Sequence, residues 1–264
     1  IFLCVVFYEL LGICVAYKKQ PEVSNTTKKE TKNGSWNECS ENTERAVIIE
    51  KNPEALLQRV RLIKNAKKEI ILSTFAFQSD ESGKLILGAL HDAADRGVHI
   101  RLLVDGMESW IDMEGNPYFY GLSSHENVEI KLYNKANPLK PWKMMGRMHD
   151  KYLIADGKRY ILGGRNTYNY FLGDFPGHKN YDRDVLVVCD EPEKENSVNQ
   201  LLEYFETIWE QEDSGYFHDN KKLANRKSVK NAVLELQNGY QKYFEENKER
   251  ICETDYTDET FETE

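Results

Sequence analysis

The sequence predicts an α/β fold in which a mixed, mostly parallel β-sheet is flanked by helices on both faces. Three observations carry that expectation. Short, continuously apolar runs such as Ile70 to Phe77 and Val98 to Val104 have the composition of strands buried on both sides. Helical patterns alternate with these runs over short connections, as a parallel or mixed sheet requires. The length of 264 residues, 40% of them hydrophobic, is enough to bury a sizeable core.

In chain order, Ile1 to Tyr17 is apolar, interrupted by Glu9 and closed by Lys18-Lys19. Residues 1–17 read as a membrane anchor or a signal segment, marginal in length for a hydrocarbon core of about 30 Å. Residues 18–44, rich in Lys, Asn, Thr, Ser and Glu, are expected to form a flexible polar linker. A folded unit is expected over residues 45–212. Asn52-Pro53 opens a helix with Leu56, Leu57, Val60, Ile63 and Ala66 on one face, and Pro53 suits its first turn. The strand of Ile70 to Phe77 follows. Leu85 to Arg96 is helical and stops at Gly97, before the strand ending at Asp105-Gly106. Residues 107–127 read as irregular and aromatic, and Val128 to Tyr133 as a further strand. Met148 to Ala155 and Arg159 to Leu162 form a hairpin about the turn signal Asp156-Gly157. Asp184 to Val188 is another apolar run. Gln200 to Gln211 is a helix carrying Leu201, Leu202, Phe205, Ile208 and Trp209. Beyond Asp213 the pattern weakens to a single face of Val229, Val233, Leu236, Tyr240 and Phe244, so residues 213–264 read as a helical or acidic linker, or the start of a second half.

The formal charge of −9 opposes non-specific binding to nucleic acid, which needs an excess of Lys and Arg, although Glu245 to Glu264 carries much of it with nine carboxylates against two basic residues. Five scattered cysteines form neither a disulfide framework nor a zinc pattern, and no metal or other cofactor is expected.

The chemistry concentrates in Arg147-Met148-His149-Asp150-Lys151, Asp156-Gly157 and Gly163-Gly164-Arg165-Asn166. On a strand, residues two apart face the same way, so His149 and Lys151 are expected in one pocket. An imidazole is a nucleophile toward phosphorus, and an adjacent cation stabilises the charge growing on non-bridging oxygens. Asn166, at the same end of the hairpin, adds an amide donor.

These residues resemble the His-Lys-Asp signature of the phospholipase D superfamily. Gly163-Gly164-Arg165-Asn166, Asn134 to Pro138 and Tyr181-Asp182-Arg183-Asp184 resemble its bacterial cardiolipin synthase-like branch. The likeness covers roughly residues 45–212 and implies a phospholipase D-like catalytic half-domain. It implies that His149 forms a phosphohistidine and that Lys151 and Asn166 bind phosphate oxygens. It also implies that Asp184 orients the histidine and that Asp156 is a structural hydrogen-bonding residue. Gly164, Arg165 and His178 are carried as substrate contacts. The superfamily's site needs two such motifs, the second supplying the acid and base for the alcohols. One motif is present here, so the second is expected from a C-terminal half of a longer enzyme or from a homodimer partner.

The expected activity is a membrane-associated phosphatidyltransferase of the bacterial cell membrane, passing a phosphatidyl group to a phospholipid hydroxyl or to water. Its partners would be phospholipids and a membrane surface, without nucleic acid. Two other classes are open: an endonuclease working as a one-motif dimer, and a non-catalytic half-domain used as a scaffold. Trp110, Tyr118, Phe119 and Tyr120 are read as a membrane-facing rim or as loop packing, and Tyr168, Tyr170 and Phe171 as a pocket lining or core.

Overall fold

Alternation of apolar runs and amphipathic stretches folds into three layers, seen in a computed structural model that describes residues 2–18, 25, 44–192, 196–218 and 221–256. The sheet has eight strands: β1 (Glu44–Ile49), β2 (Glu69–Thr74), β3 (His99–Asp105), β4 (Val128–Tyr133), β5 (Lys151–Ala155), β6 (Arg159–Gly163), β7 (Asp184–Cys189) and β8 (Ser214–Tyr216). Their order is β1-β7-β6-β5-β2-β3-β4-β8. The sheet is mixed, as expected, but its parallel part is confined to β2-β3-β4; every other pairing is antiparallel. The physical reason is the connections: β5 and β6 are joined by a tight turn, which demands antiparallel strands, whereas a helix carries the chain from β2 to β3.

The helices are α1 (Phe2–Lys18), α2 (Asn52–Asn65), α3 (Glu81–Asp95), α4 (Gly106–Asp112), α5 (Pro117–Ser123), α6 (Ser197–Trp209), α7 (Lys227–Glu246) and α8 (Lys248–Cys252). Side chains alternate along each strand, so Leu72, Leu102 and Leu153 enter one core with α2, α3, α5 and α7, while Ile71, Leu103 and Ile154 enter another beneath α6. Asp80 caps α3 by accepting a bond from Gly83 N, 3.0 Å long.

Three expectations are corrected. The segment 107–127 is not irregular: Asp105 and Asn116 cap α4 and α5, and Pro117 opens α5, but seven residues per helix are too few to show a period. Residues beyond 212 are not a linker within the described part. There, β8 pairs with β4, Leu236, Tyr240 and Phe244 are buried in the main core, and Val229 is buried as well. The linker expected at 18–44 ends in a strand, since β1 begins at Glu44; residues 19–24 and 26–43 lie outside the described residues. Helix α1 packs on the loop before β5, where Tyr8 Oη donates to the carbonyl of Leu139 at 3.0 Å. Among the described residues no helix is long and apolar enough to cross a membrane.

The hairpin turn is built as its residues demand. Asp156 and Gly157 take φ of 55° and 62°, and the Lys158 amide closes the turn on the carbonyl of Ala155 at 3.0 Å. The Asp156 carboxylate accepts from the amides of Lys67, Lys68 and Glu69, at 2.7–3.1 Å, and thereby ties the turn to the start of β2. Asp156→Ala removes all of these acceptors and is expected to lower unfolding free energy by about 1–2 kcal/mol, water compensating part of the loss at these outer amides. A denaturant midpoint that falls with an unchanged slope checks this; an unchanged midpoint contradicts it.

Candidate active site

Five strand ends meet at one edge of the sheet: the carboxyl ends of β2, β3 and β6 and the amino ends of β5 and β7. Ligands of open α/β sheets bind outside such carboxyl ends. Lys151 opens β5 opposite Thr74, and His149 stands two residues ahead of the strand. Lys151 is 5% exposed and donates from Nζ to the His149 carbonyl at 2.7 Å, which binds the two residues into one unit.

Phe75, immediately after β2, supports both. Its ring lies against the His149 ring with centroids 4.6 Å apart at an interplanar angle of 61°, and the cations of Arg147 and Lys151 lie 5.0 and 5.4 Å from its centre. No described residue takes either ring nitrogen of His149. Burial, followed by the field of the Lys151 ammonium, pushes the imidazole below the ordinary histidine value. At neutral pH it is therefore the free base, whose lone pair can attack phosphorus. Burial also pushes the Lys151 ammonium down, opposed by Asp150 and Asp182.

The backbone ahead of His149 is held by Asp105, 1% exposed at the end of β3. Its carboxylate accepts from Arg147 Nε at 2.9 Å and Met148 N at 3.1 Å, while also capping α4 through Met107 N and Glu108 N. Past β6 the chain turns beside Ala76 to Gln78, with Thr167 N donating to the carbonyl of Ala76 at 3.0 Å. This carries the buried Asn166 to the same edge. Its Oδ1 accepts from Ala76 N at 3.3 Å, which orients the amide.

The end of the hairpin has no room for side chains. A Cβ on Gly163 would stand 2.6 Å from the carbonyl oxygen of Arg183 and collide with the Asp184 carboxylate; one on Gly164 would collide with the Asp182 carboxylate. Asp182 is exposed and, after Asp150, is the second carboxylate close enough to act on Lys151. On the Asp182 side lies a pocket of about 740 Å³ whose lining carries charges of both signs, Lys51, Lys179 and Arg183 beside Glu50, Asp174 and Asp182. On the Arg147 side an apolar cavity of about 830 Å³ opens between α1 and α4, lined by Ile13, Met107, Trp110, Ile111, Pro138 and Met144. Arg147 Nη1 touches Met107 Sδ, part of that cavity's lining, at 3.5 Å.

Residues 59–209 match the family described as "Cardiolipin synthase, PLD-like domain". The chain belongs to the phospholipase D superfamily. An uncharacterised protein of Helicobacter pylori strain J99 is 31% identical over 206 residues, covering 72% of this chain and 38% of that protein. Cardiolipin synthase C of Escherichia coli K12 is 29% identical over 171 residues, covering 60% of this chain and 34% of the enzyme. The chain therefore spans little more than a third of the length of these relatives. Among solved structures, phosphatidylserine synthase of Haemophilus influenzae superposes with a TM-score of 0.53 at 18% identity, covering 76% of this chain and 44% of that one, and shares the fold.

Within this phospholipase D-like chain, His149, Lys151, Gly164 and Asn166 meet at one edge as the motif implied, and Asp156 sits at the opposite end of the hairpin. Three expectations are not met. Asp184 does not reach His149: it is 2% exposed, its Oδ2 lies 2.9 Å from Arg59 and 3.3 Å from Arg165, and neither oxygen accepts a well-angled hydrogen bond. Arg165 does not face substrate: its guanidinium is fully buried, donating to Asn52 Oδ1 and to the carbonyls of Ile49 and Glu50. His178 faces outward, paired with Asn180 and set edge-on to the Tyr170 ring with centroids 5.4 Å apart. Of the aromatic rim, Phe119 is wholly buried and Trp110 is 67% exposed, while Tyr118 holds Glu235 and Tyr120 packs on Phe217. Tyr168 packs its ring on those of Tyr170 and Phe171, and Phe171 rests on the core. Phe75, Asp105 and Asp182 are site residues that the motif did not single out; Asp182 alone had a local signal, two residues from Asp184.

Proposed function

We propose that the chain carries one motif of a cardiolipin synthase-like phosphatidyltransferase working at a bacterial membrane. His149 attacks the phosphorus of a glycerophospholipid and forms a P–N bond. The bond to the headgroup oxygen breaks, and its electron pair leaves with the alkoxide. Lys151 and the Asn166 amide take the charge that grows on the non-bridging oxygens. The alkoxide needs a proton, and the described part of this site has no second histidine to give it; a second motif, from the same protein beyond this chain or from another copy, supplies that acid. It then acts as base when a phospholipid hydroxyl or water attacks phosphorus, the P–N bond breaks and His149 is restored.

The observation that carries the lipid half of this proposal is asymmetry: a largely apolar cavity on one side of the reactive edge and a pocket lined by charged groups on the other. An amphiphilic diester has that polarity, whereas a nucleic-acid diester is polar on both sides of each phosphate. Incubating the full-length protein with phosphatidylglycerol labelled at phosphorus tests it. Label is expected on the wild-type protein and absent from His149→Ala, with cardiolipin or phosphatidic acid as product. Label taken up from an oligonucleotide diester and not from lipid would make the nuclease reading the correct one, and no label from either would favour the scaffold.

A further inference from the structure

The loop between β4 and β5, and the helix beside it, carry an apolar surface that the chemistry of His149 does not use. Leu139 is 79% exposed, Trp142 47% and Met145 50%; on α4, Trp110 is 67% exposed and Ile111 68%. In a soluble monomer, scattered apolar residues are ordinary, but these five come from one loop and one helix that both border a single opening. Trp110, Ile111, Pro138 and Met144 line the apolar cavity beside the active site, and Leu139, Trp142 and Met145 lie on the same loop as the last two, so the patch adjoins its mouth. Helix α1 continues it. Tyr8 and Gly12 pack on Leu139 and Pro141, while Phe2, Leu3 and Phe7 stay 66–79% exposed.

The loop is preformed. Asn134 takes φ of 51°, which an asparagine tolerates, and its Nδ2 donates to the carbonyls of Lys143 and, at 2.6 Å, Gly146. Both ends are thereby drawn together, and the tip is presented without an ordering cost on contact. Its charge is one-sided: Asn134 to Met148 contains Lys135, Lys140, Lys143 and Arg147 and no carboxylate, in a chain of net charge −9. Arg147 turns inward to Asp105 and Glu108. Lys143 rests on Asp213 but is 43% exposed, and Lys140 forms no ion pair among the described residues.

We infer that this surface docks the catalytic edge onto an anionic lipid bilayer, with Trp110 and Trp142 at the level of the headgroups and Lys140 and Lys143 on the lipid phosphates. The assignment rests on the phospholipid reading above for its choice of occupant. A second protein is the poorer fit, because lysine is depleted from protein interfaces, whereas tryptophan with flanking lysine is the composition of a membrane boundary. Docked so, the cavity mouth opens onto the bilayer, and a lipid enters it without crossing water.

The test uses the His149→Ala protein, in which nothing turns over, with vesicles of phosphatidylglycerol or phosphatidylcholine carrying bromine on the acyl chains. Helix α1 has no tryptophan, so its own insertion is silent in this measurement. Binding to phosphatidylglycerol vesicles is expected to quench fluorescence, and Trp110→Phe with Trp142→Phe to remove most of that quenching. Leu139→Asp with Met145→Asp, at exposed positions, is expected to weaken binding at least about tenfold with an unchanged melting temperature. Quenching that persists in the double phenylalanine variant, affinity unmoved by the aspartates, or a dimer that shields both tryptophans from bromine would each overturn the inference. Failure of the phospholipid reading shows up elsewhere, as lipid that binds but never labels wild-type His149.

Discussion

Lys151→Met is expected to slow phosphohistidine formation by about 10²–10³-fold and to move the acid limb of the rate–pH profile to higher pH. The first effect follows from removing a buried cation aimed at charge that develops only in the transition state. The second follows from the sign of a field. Lys151 disfavours the imidazolium of His149 and so helps hold its pKa below the ordinary value. Methionine keeps the burial and removes the charge. The imidazole then regains protons more readily, and the free base that attacks phosphorus is lost at a higher pH than in the wild type. A diester with an aryl leaving group suits the measurement, because an aryl oxide departs without a proton and needs no acid from a second motif. Slowing without movement of the acid limb would mean that Lys151 binds phosphate but does not tune His149.

How far the site was legible depends on how local each part is. His149, Lys151 and Asn166 sit on one hairpin and the turn after it, so spacing alone put them together. Phe75, just past β2, and Asp105, at the end of β3, lie more than forty residues upstream and reach the site only because those strands end at the same edge. Asp184, expected beside the histidine, lies instead on Arg59 and Arg165. Asp182 and Asp184 are two apart and share a parity, and what separates them is register. Asp184 pairs with Gly163 inside the sheet and is buried, while Asp182 lies one step beyond the edge, in water and beside Lys151. In the fold, the long apolar strands were readable, whereas β8 is three residues long and β1 opens with Glu44-Arg45, so neither announces itself. Parallel pairing was overestimated because burial on both faces, which β2 and β5 also show in antiparallel pairing, was taken as a mark of parallel strands.

Asp184→Asn separates the two roles that a carboxylate at this position can have. Among the described residues its carboxylate is the one within ion-pair distance of two buried guanidiniums, Arg59 at 5% side-chain exposure and Arg165 at 0%. Arg165 also spans from β1 to α2 through Ile49, Glu50 and Asn52, so the cluster ties the edge strand to the helix and to the hairpin. Burial already works against the Arg165 charge. An isosteric amide leaves two like charges buried side by side without compensation, and breaking a buried pair in this way costs about 3–5 kcal/mol. The denaturant midpoint should fall accordingly, by an amount that is a large part of the stability of a domain this size. The residual activity carries the second readout. Were Asp184 the group that supports the His149 imidazolium, its loss would lower the histidine pKa and move the acid limb to lower pH. Since Arg59 and Arg165 occupy Asp184, the limb should stay where it is in the wild type while stability collapses. A displaced limb with intact stability would return Asp184 to the histidine.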